Sequence, residues 1–185
     1  MQMTTGSKSI PLTGLSQRIT ATVVATTAAV VIPQLFHLVG LATGTGSQVG
    51  QTWLPMFLPV IVVGLLAGPE VGAIVGITSP VIAFTVTGMP VPALMPFMII
   101  QLVMAGVVAG LLSSKRLHIA WSTVIVVASG PVALLIARLI SALITGTELL
   151  TAINIWLAQM ATGVPGLLLQ LVAVGISLRL IRRSR

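Results

Sequence analysis

The chain has 185 residues, of which 56% are hydrophobic and 6% are charged, and its mean hydropathy is +1.15. Soluble domains carry about 25% charged residues, so this composition excludes a water-soluble globule. Nine Lys and Arg residues oppose two Asp and Glu residues, but they form small clusters between long apolar runs, which excludes the dense basic face of a nucleic-acid-binding protein. No Cys is present, which excludes disulfides, thiolate metal sites and Cys nucleophiles. The sequence therefore predicts an integral membrane protein.

Six apolar stretches qualify as membrane spans, since a helix of about 20 residues crosses a hydrocarbon core of about 30 Å. In chain order they are 17–40, 54–68, 70–87, 92–112, 119–145 and 149–180. Gly68-Pro69 separates the second span from the third, which predicts a tight helical hairpin. The predicted fold class is an all-α membrane protein with six transmembrane helices in one compact bundle. Residues 1–185 are predicted to form a single transmembrane domain.

The positive charges predict how this bundle is oriented. Six spans put both termini on one side, and eight of the nine cations then fall on that same side: Lys8, Arg18, Lys115, Arg116, Arg179, Arg182, Arg183 and Arg185. Segments rich in Lys and Arg face the cytoplasm. Both termini are therefore predicted to be cytoplasmic, with residues 1–16 as a cytoplasmic tail.

The sequence lacks the residues that catalysis or ion coupling requires. The two histidines, His37 and His118, fall on opposite sides of the membrane and cannot share a metal ion. Glu70 lies in a predicted cytoplasmic turn and Glu148 lies beyond a helix end, so no carboxylate is expected at membrane depth, where proton pumps carry one. No ATP-binding GxxxxGK[ST] loop is present. We predict a protein that is not an enzyme and has no metal, cofactor or catalytic residue.

Arg138 is the exception to the apolar pattern. It lies about seven residues from the outer end of the fifth span, hence about 10 Å deep, where an arginine normally faces the protein interior or a wet cavity. Gln101 and Gln159 fall near the midplane in the fourth and sixth spans. Directed polar groups beside aromatic faces are typical of a small-ligand pocket. The predicted substrate site comprises Arg138, Gln101, Asn154, Gln159, Trp53, Trp156 and Phe97.

Each group in this site also has a purely structural interpretation. Arg138 could reach outward to the membrane surface or pair with Glu148. Gln101 and Gln159 could serve only to join helices through hydrogen bonds. The two tryptophans could belong to the aromatic belt at the membrane interface. The sequence leaves these alternatives open.

Small residues predict two helix contacts and one mobile segment. Gly163 and Gly166 in the sixth span favour close helix packing. The segment 41–53, rich in Gly, Thr and Ser, is predicted to be an outer loop that covers the pocket as a lid. A stripe of alanines in the first span is predicted to be a smooth contact surface at which helices approach closely; it consists of Ala21, Ala25 and Ala29.

The middle of the chain resembles a known family of transport proteins. The resemblance is carried by the run Leu54-Pro-Met-Phe-Leu-Pro-Val60, the turn Gly68-Pro69 and the turn Thr87-Gly-Met-Pro90. These motifs are similar to those of the substrate-binding S components of energy-coupling factor (ECF) importers, in the group with pantothenate-, niacin- and cobalamin-type members. The motifs cover about residues 50–112, and the rest of the chain agrees in topology. Phe57 departs from the pattern, because many members have a histidine there.

The resemblance implies a vitamin-binding subunit in the plasma membrane of a prokaryote. It implies that the alanine stripe docks on a transmembrane T component, and that two separate ATPase subunits drive transport. Arg138 favours a carboxylated vitamin or precursor such as niacin, pantothenate or lipoate, because a guanidinium donates two hydrogen bonds to a carboxylate. The alternative is a structural or assembly subunit of a membrane complex that has no small ligand.

Overall fold

The computed structural model describes residues 14–45, 48–115 and 117–183, and all the regular structure within these ranges is helical. Most of the expected N-terminal tail therefore lies outside the described residues, as do Lys8, Arg116 and Arg185. The helices are α1 (Leu15–Ala42), α2 (Gln48–Trp53), α3 (Phe57–Ala67), α4 (Pro69–Thr87), α5 (Met95–Ser113), α6 (Ile119–Thr145) and α7 (Leu149–Arg183), with a 3₁₀ turn at Pro92–Leu94.

Six segments of the described chain are long and apolar enough to cross a membrane. Helices α1, α4, α6 and α7 each form one, α5 forms another together with the 3₁₀ turn, and α2 and α3 together form the sixth over Val49–Ala67. The predicted all-α class and the number and order of the spans are thereby confirmed. The predicted boundaries agree within three residues, except at the start of the second span.

That exception corrects the predicted loop at 41–53. Helix α1 continues to Ala42, and α2 converts the second half of the segment into the beginning of a span. The backbone of α2 lies against α7, where a Cβ on Gly166 would be 2.7 Å from the carbonyl oxygen of Trp53. Close packing at Gly163 and Gly166 is confirmed, because Gly163 likewise lies against Leu54. The sequence QVGQTW has weak helix propensity, so we attribute α2 to this tertiary contact.

Leu54 connects α2 to α3 and sets the angle between them. Its φ is +48°, in the left-handed region that leucine rarely adopts. Its N–H donates to the Gly50 carbonyl at 3.1 Å, and its carbonyl accepts from the Phe57 N–H at 3.2 Å. Since the side chain also packs on Gly163, this unusual conformation is held by contacts on both sides.

Direct contact between backbones joins α4 to α5. A Cβ on Gly72 would lie 2.5 Å from the carbonyl oxygen of Gly106, and a Cβ on Gly76 would lie 2.7 Å from the Val103 nitrogen. Real side chains are never accommodated at such distances, so the two backbones touch directly. In lipid, helices associate largely through van der Waals contact, which such close approach maximises. Gly64 of α3 packs on the same Gly106 carbonyl and extends the contact to a third helix.

Helix α1 covers the other side of α3 and α4. Thr26 and Thr78 share a hydrogen bond of 3.2 Å between their hydroxyls. The packing corrects the docking prediction in part, because Ala29 is 0% exposed and Ala25 is 8% exposed within the chain's own core. These two small residues let α1 lie close to its neighbours, so Ala29 is not available to a partner. Ala21 remains half-buried at the edge of this contact.

We expect Gly106→Ala to lower the free energy of unfolding by about 1–3 kcal/mol, the usual cost of overpacking, because its methyl group would meet the Gly72 carbonyl. The matched control is Gly175→Ala in α7, whose Cβ would meet only the Thr123 hydroxyl oxygen, at 3.8 Å. That variant should be neutral or slightly stabilising, since alanine is the better helix former. Thermal unfolding of both variants in detergent measures the difference, and equal midpoints would contradict the packing described here.

Candidate functional site

Arg138 of α6 is surrounded by residues from two other helices. Its guanidinium carbon lies 4.1 Å from the centroid of the Phe97 ring on α5, which is a cation–π contact. Its Nη2 donates to the Gln159 Oε1 on α7 at 3.5 Å, the long end of the hydrogen-bond range. The structure thus brings three of the predicted site residues into direct contact. We call Arg138, Phe97 and Gln159 the arginine cluster.

The guanidinium of this cluster retains unused donor capacity. Its Nε is buried and has no hydrogen-bond partner among the described residues. Glu148 is exposed and makes no ion pair with Arg138; the ion pair found within the described ranges joins Arg18 to Glu70 at the opposite end of the bundle. The alternative in which Glu148 neutralises Arg138 is therefore not the observed arrangement. A partly desolvated cation with a free donor favours an anion as its partner.

Gln101 extends the cluster along α5. It follows Phe97 by four residues, so both side chains leave the same face of the helix, and both are half-buried. The backbone of Gln101 lies close to α6, since its carbonyl oxygen would be 3.5 Å from a Cβ on Gly130. No hydrogen bond within the described part of the chain joins Gln101 to Gln159, so these two glutamines do not link α5 to α7 directly.

Phe57, which marks the departure from the family motif, lies where α3, α5 and α6 meet. Its ring carbon Cε1 would be 3.0 Å from a Cβ on Gly130, and the side chain is buried. Glycine at 130 therefore makes room for the phenylalanine ring. A large apolar ring here makes this part of the bundle interior less polar than a histidine would make it.

Trp156 fastens α7 to α6 beside the cluster. Its indole Nε1 donates to the Pro131 carbonyl at 2.9 Å, and the side chain is half-buried. It precedes Gln159 by three residues, so it lies on the same face of α7. The ring can cover the apolar part of a ligand, but its N–H is already used by the protein.

Two predicted site residues lie apart from the cluster. Asn154 is exposed, and at 100° per residue it lies about 140° around α7 from Gln159. Trp53 packs on Phe36 of α1, with ring centroids 6.5 Å apart and planes inclined at 46°. Among the described residues, no hydrogen bond or ring contact joins either of them to Arg138.

Gln170 is a polar residue whose environment the sequence did not reveal. It is 1% exposed, and its amide Nε2 has no hydrogen-bond partner within the described part of the chain. It follows Gln159 by eleven residues, close to three helical turns, so it lies on the same face of α7. The spacing of eleven residues between Gln159 and Gln170 is a signal that the sequence carries, but close helix packing explains that spacing equally well.

The described residues contain no group of three or more His, Cys, Asp or Glu side chains that could hold a metal ion.

An open apolar groove lies between α1 and α3, with a cavity volume of about 660 Å³. On α1 the groove is lined by Ala21, Val24 and Ala25, among others. Leu58 and Val62 line the opposite wall on α3. We call this feature the α1/α3 groove.

Comparison with known proteins identifies the family. The family model described as "ECF transporter, substrate-specific component" matches residues 17–178, which include the arginine cluster and the α1/α3 groove almost entirely. No curated protein and no solved structure matches the chain. The resemblance seen in the sequence motifs is confirmed by a match over most of the chain. The chain belongs to the family of substrate-specific components of ECF transporters.

Proposed function

We propose that this substrate-binding subunit of an ECF importer binds a small carboxylated vitamin or vitamin precursor, with niacin, pantothenate and lipoate as the candidates. The observation that carries the proposal is Arg138, whose charge is partly buried and paired with no carboxylate of the described chain. A substrate carboxylate would accept hydrogen bonds from the guanidinium and neutralise it. The protein itself catalyses no reaction; separate ATPase subunits supply the energy.

The other residues of the site have complementary roles in this proposal. Gln159 already contacts the guanidinium and would orient the carboxylate, and Gln101 would bind a second polar group of the substrate. Phe97 and Trp156 would cover the apolar part. We leave Asn154 and Trp53 out of the proposed site, because one is exposed on another face of α7 and the other packs on α1.

Replacing Arg138 with lysine tests the carboxylate contact. Lysine keeps the charge but cannot donate two parallel hydrogen bonds, so we expect binding to weaken by about 1–3 kcal/mol, the scale of a lost charge-assisted hydrogen bond. Titration calorimetry of the purified chain with niacin, pantothenate and lipoate measures this loss. Arg18→Lys is the matched control, since it makes the same change at the far end of the bundle and should leave the affinity unaltered.

The same titration should include nicotinamide, panthenol and lipoamide, which lack the carboxylate. The acid of the natural substrate should bind more tightly than its neutral analogue in the native protein, and Arg138→Lys should reduce the difference. Equal affinity for acid and analogue would refute the role of Arg138. Mass spectrometry of purified protein that reveals no small molecule, with no binding of any acid, would favour the structural-subunit alternative.

We further propose that the α1/α3 groove is the surface that contacts the T component. Membership of the family implies association with the T and ATPase subunits. The groove supports the assignment because it is open and apolar and because its α1 wall carries small residues, among them Ala21, Ala25 and Ala28, past which a partner helix can approach closely. Of the three alanines predicted to dock, the proposed surface includes Ala21 and Ala25 and leaves out Ala29.

A paired substitution tests this surface. Val24 lines the groove and Val23 does not, although they are adjacent and their side chains are 62% and 60% exposed. We expect Val24→Trp to abolish co-purification with the T component and uptake into cells, while substrate binding to the isolated chain persists. Val23→Trp should retain both. Equal effects of the two substitutions would contradict the groove as the docking surface.

We also propose that the chain lies in a prokaryotic plasma membrane with both termini in the cytoplasm. The described cations support this orientation, since Arg18, Lys115 and the arginines of α7 share one end of the bundle.

Single cysteines introduced at Thr45 and Ser114, both exposed, test this orientation. A membrane-impermeant thiol reagent added to intact cells should label Thr45→Cys, and it should label Ser114→Cys only after the membrane is opened. The reverse pattern would show that the bundle is inverted, and labelling of both positions in intact cells would contradict the span count.

A further inference from the structure

We propose that a second groove, between α6 and α7, binds an anionic phospholipid of the surrounding membrane. This site lies at the opposite end of the bundle from the arginine cluster and does not depend on the proposed substrate. The groove is open, with a cavity volume of about 510 Å³. It runs from His118 and Arg179 at the end of the bundle to apolar residues further in. Thr123 and Val124 line it on α6, and Leu171, Val172, Gly175 and Ile176 line it on α7.

The charges at the end of this groove have no acidic counterpart in the protein. Arg179 is exposed within the groove. Lys115, just after the C-terminal end of α5, and Arg183, at the C-terminal end of α7, are exposed at the same end of the bundle. The chain has only two acidic residues: Glu70 pairs with Arg18, and Glu148 lies at the other end of the bundle. Basic pockets between transmembrane helices are typical sites for anionic lipid headgroups.

Hydrogen bonds hold the rim of the groove in place and leave the Nε2 of His118 available as a donor. Arg182 donates to the Leu117 carbonyl and, at 2.9 Å, to the Ser122 hydroxyl, which fastens α7 to the start of α6. The His118 Nδ1 accepts from the Ala120 N–H at 3.3 Å. The proton of a neutral His118 is therefore on Nε2, which can donate to a phosphate oxygen beside Arg179.

The dimensions and polarity of the groove suit a lipid better than a soluble anion. From Arg179 to Leu171 the rise along α7 is about 12 Å, enough to accommodate the upper part of an acyl chain beneath a headgroup. The lining between them is apolar apart from the Thr123 hydroxyl, which already donates to the Ile119 carbonyl. Trp121 is exposed on the first turn of α6, where tryptophan typically marks the level of the headgroups.

Fluorescence quenching in vesicles tests the proposal. The full chain is reconstituted in phosphatidylcholine containing a small fraction of phosphatidylglycerol brominated near the top of its acyl chains. We expect the brominated phosphatidylglycerol to quench the fluorescence of Trp121 more strongly than brominated phosphatidylcholine does at the same fraction. Removing one positive charge by Arg179→Gln should weaken the preference for phosphatidylglycerol by roughly fivefold, and Arg179→Lys should largely retain it.

Two more variants separate a specific groove from general attraction to a negative surface. Gly175→Leu should abolish the preference by filling the groove, and space is available because a Cβ at 175 makes only ordinary contact. Arg18→Gln removes an equal charge at the same end and should leave the preference unchanged. Equal quenching by the two lipids, or a preference that survives both Arg179→Gln and Gly175→Leu, would overturn the proposal. Competition by inorganic phosphate would also overturn it, because it would indicate a site for a soluble anion.

Discussion

The direct contact between the backbones of α4 and α5 is the constraint on which the rest of the fold depends. The Gly106 carbonyl of α5 lies against Gly72 of α4, and Gly64 of α3 packs on the same Gly106 carbonyl. Because these three helices cannot shift past one another without a steric clash, they form a rigid half of the bundle. Helix α5 then offers its remaining face to α6, and that face carries Phe97 and Gln101. The position of the arginine cluster is therefore set by glycines that never touch it.

The packing of α6 and α7 onto this rigid half relies on a different set of interactions. Trp156 donates to a backbone carbonyl, Arg138 lies over an aromatic ring, and Arg182 fastens the far end of α7. Polar contacts of this kind are directional but individually weak, typically below 2 kcal/mol in a membrane. Helices α6 and α7 are thus held in part by side-chain contacts, whereas α4 and α5 touch through their backbones.

The sequence predicted how deep a residue lies in the membrane more reliably than which side of its helix faces the protein interior. Hydropathy and the rise per residue predicted the six spans and placed both Arg138 and Gln159 in the outer half of the membrane. The rotation of a helix about its axis depends on tertiary packing, so the exposed position of Asn154 and the burial of Ala29 could not be predicted. Helix α2 was missed for a related reason, since its contact with Gly166 lies more than a hundred residues away in the chain.

The conformation of Leu54 has a consequence for the shape of the second span. A leucine in the left-handed region costs about 1–2 kcal/mol relative to an ordinary helical one, which corresponds to roughly a 5- to 30-fold change in an equilibrium constant. The contacts of α2 with Gly163 and Gly166 offset that cost in the present arrangement. Without these contacts the cost would not be offset, so the contact of α2 with α7 helps to keep the second span bent at Leu54.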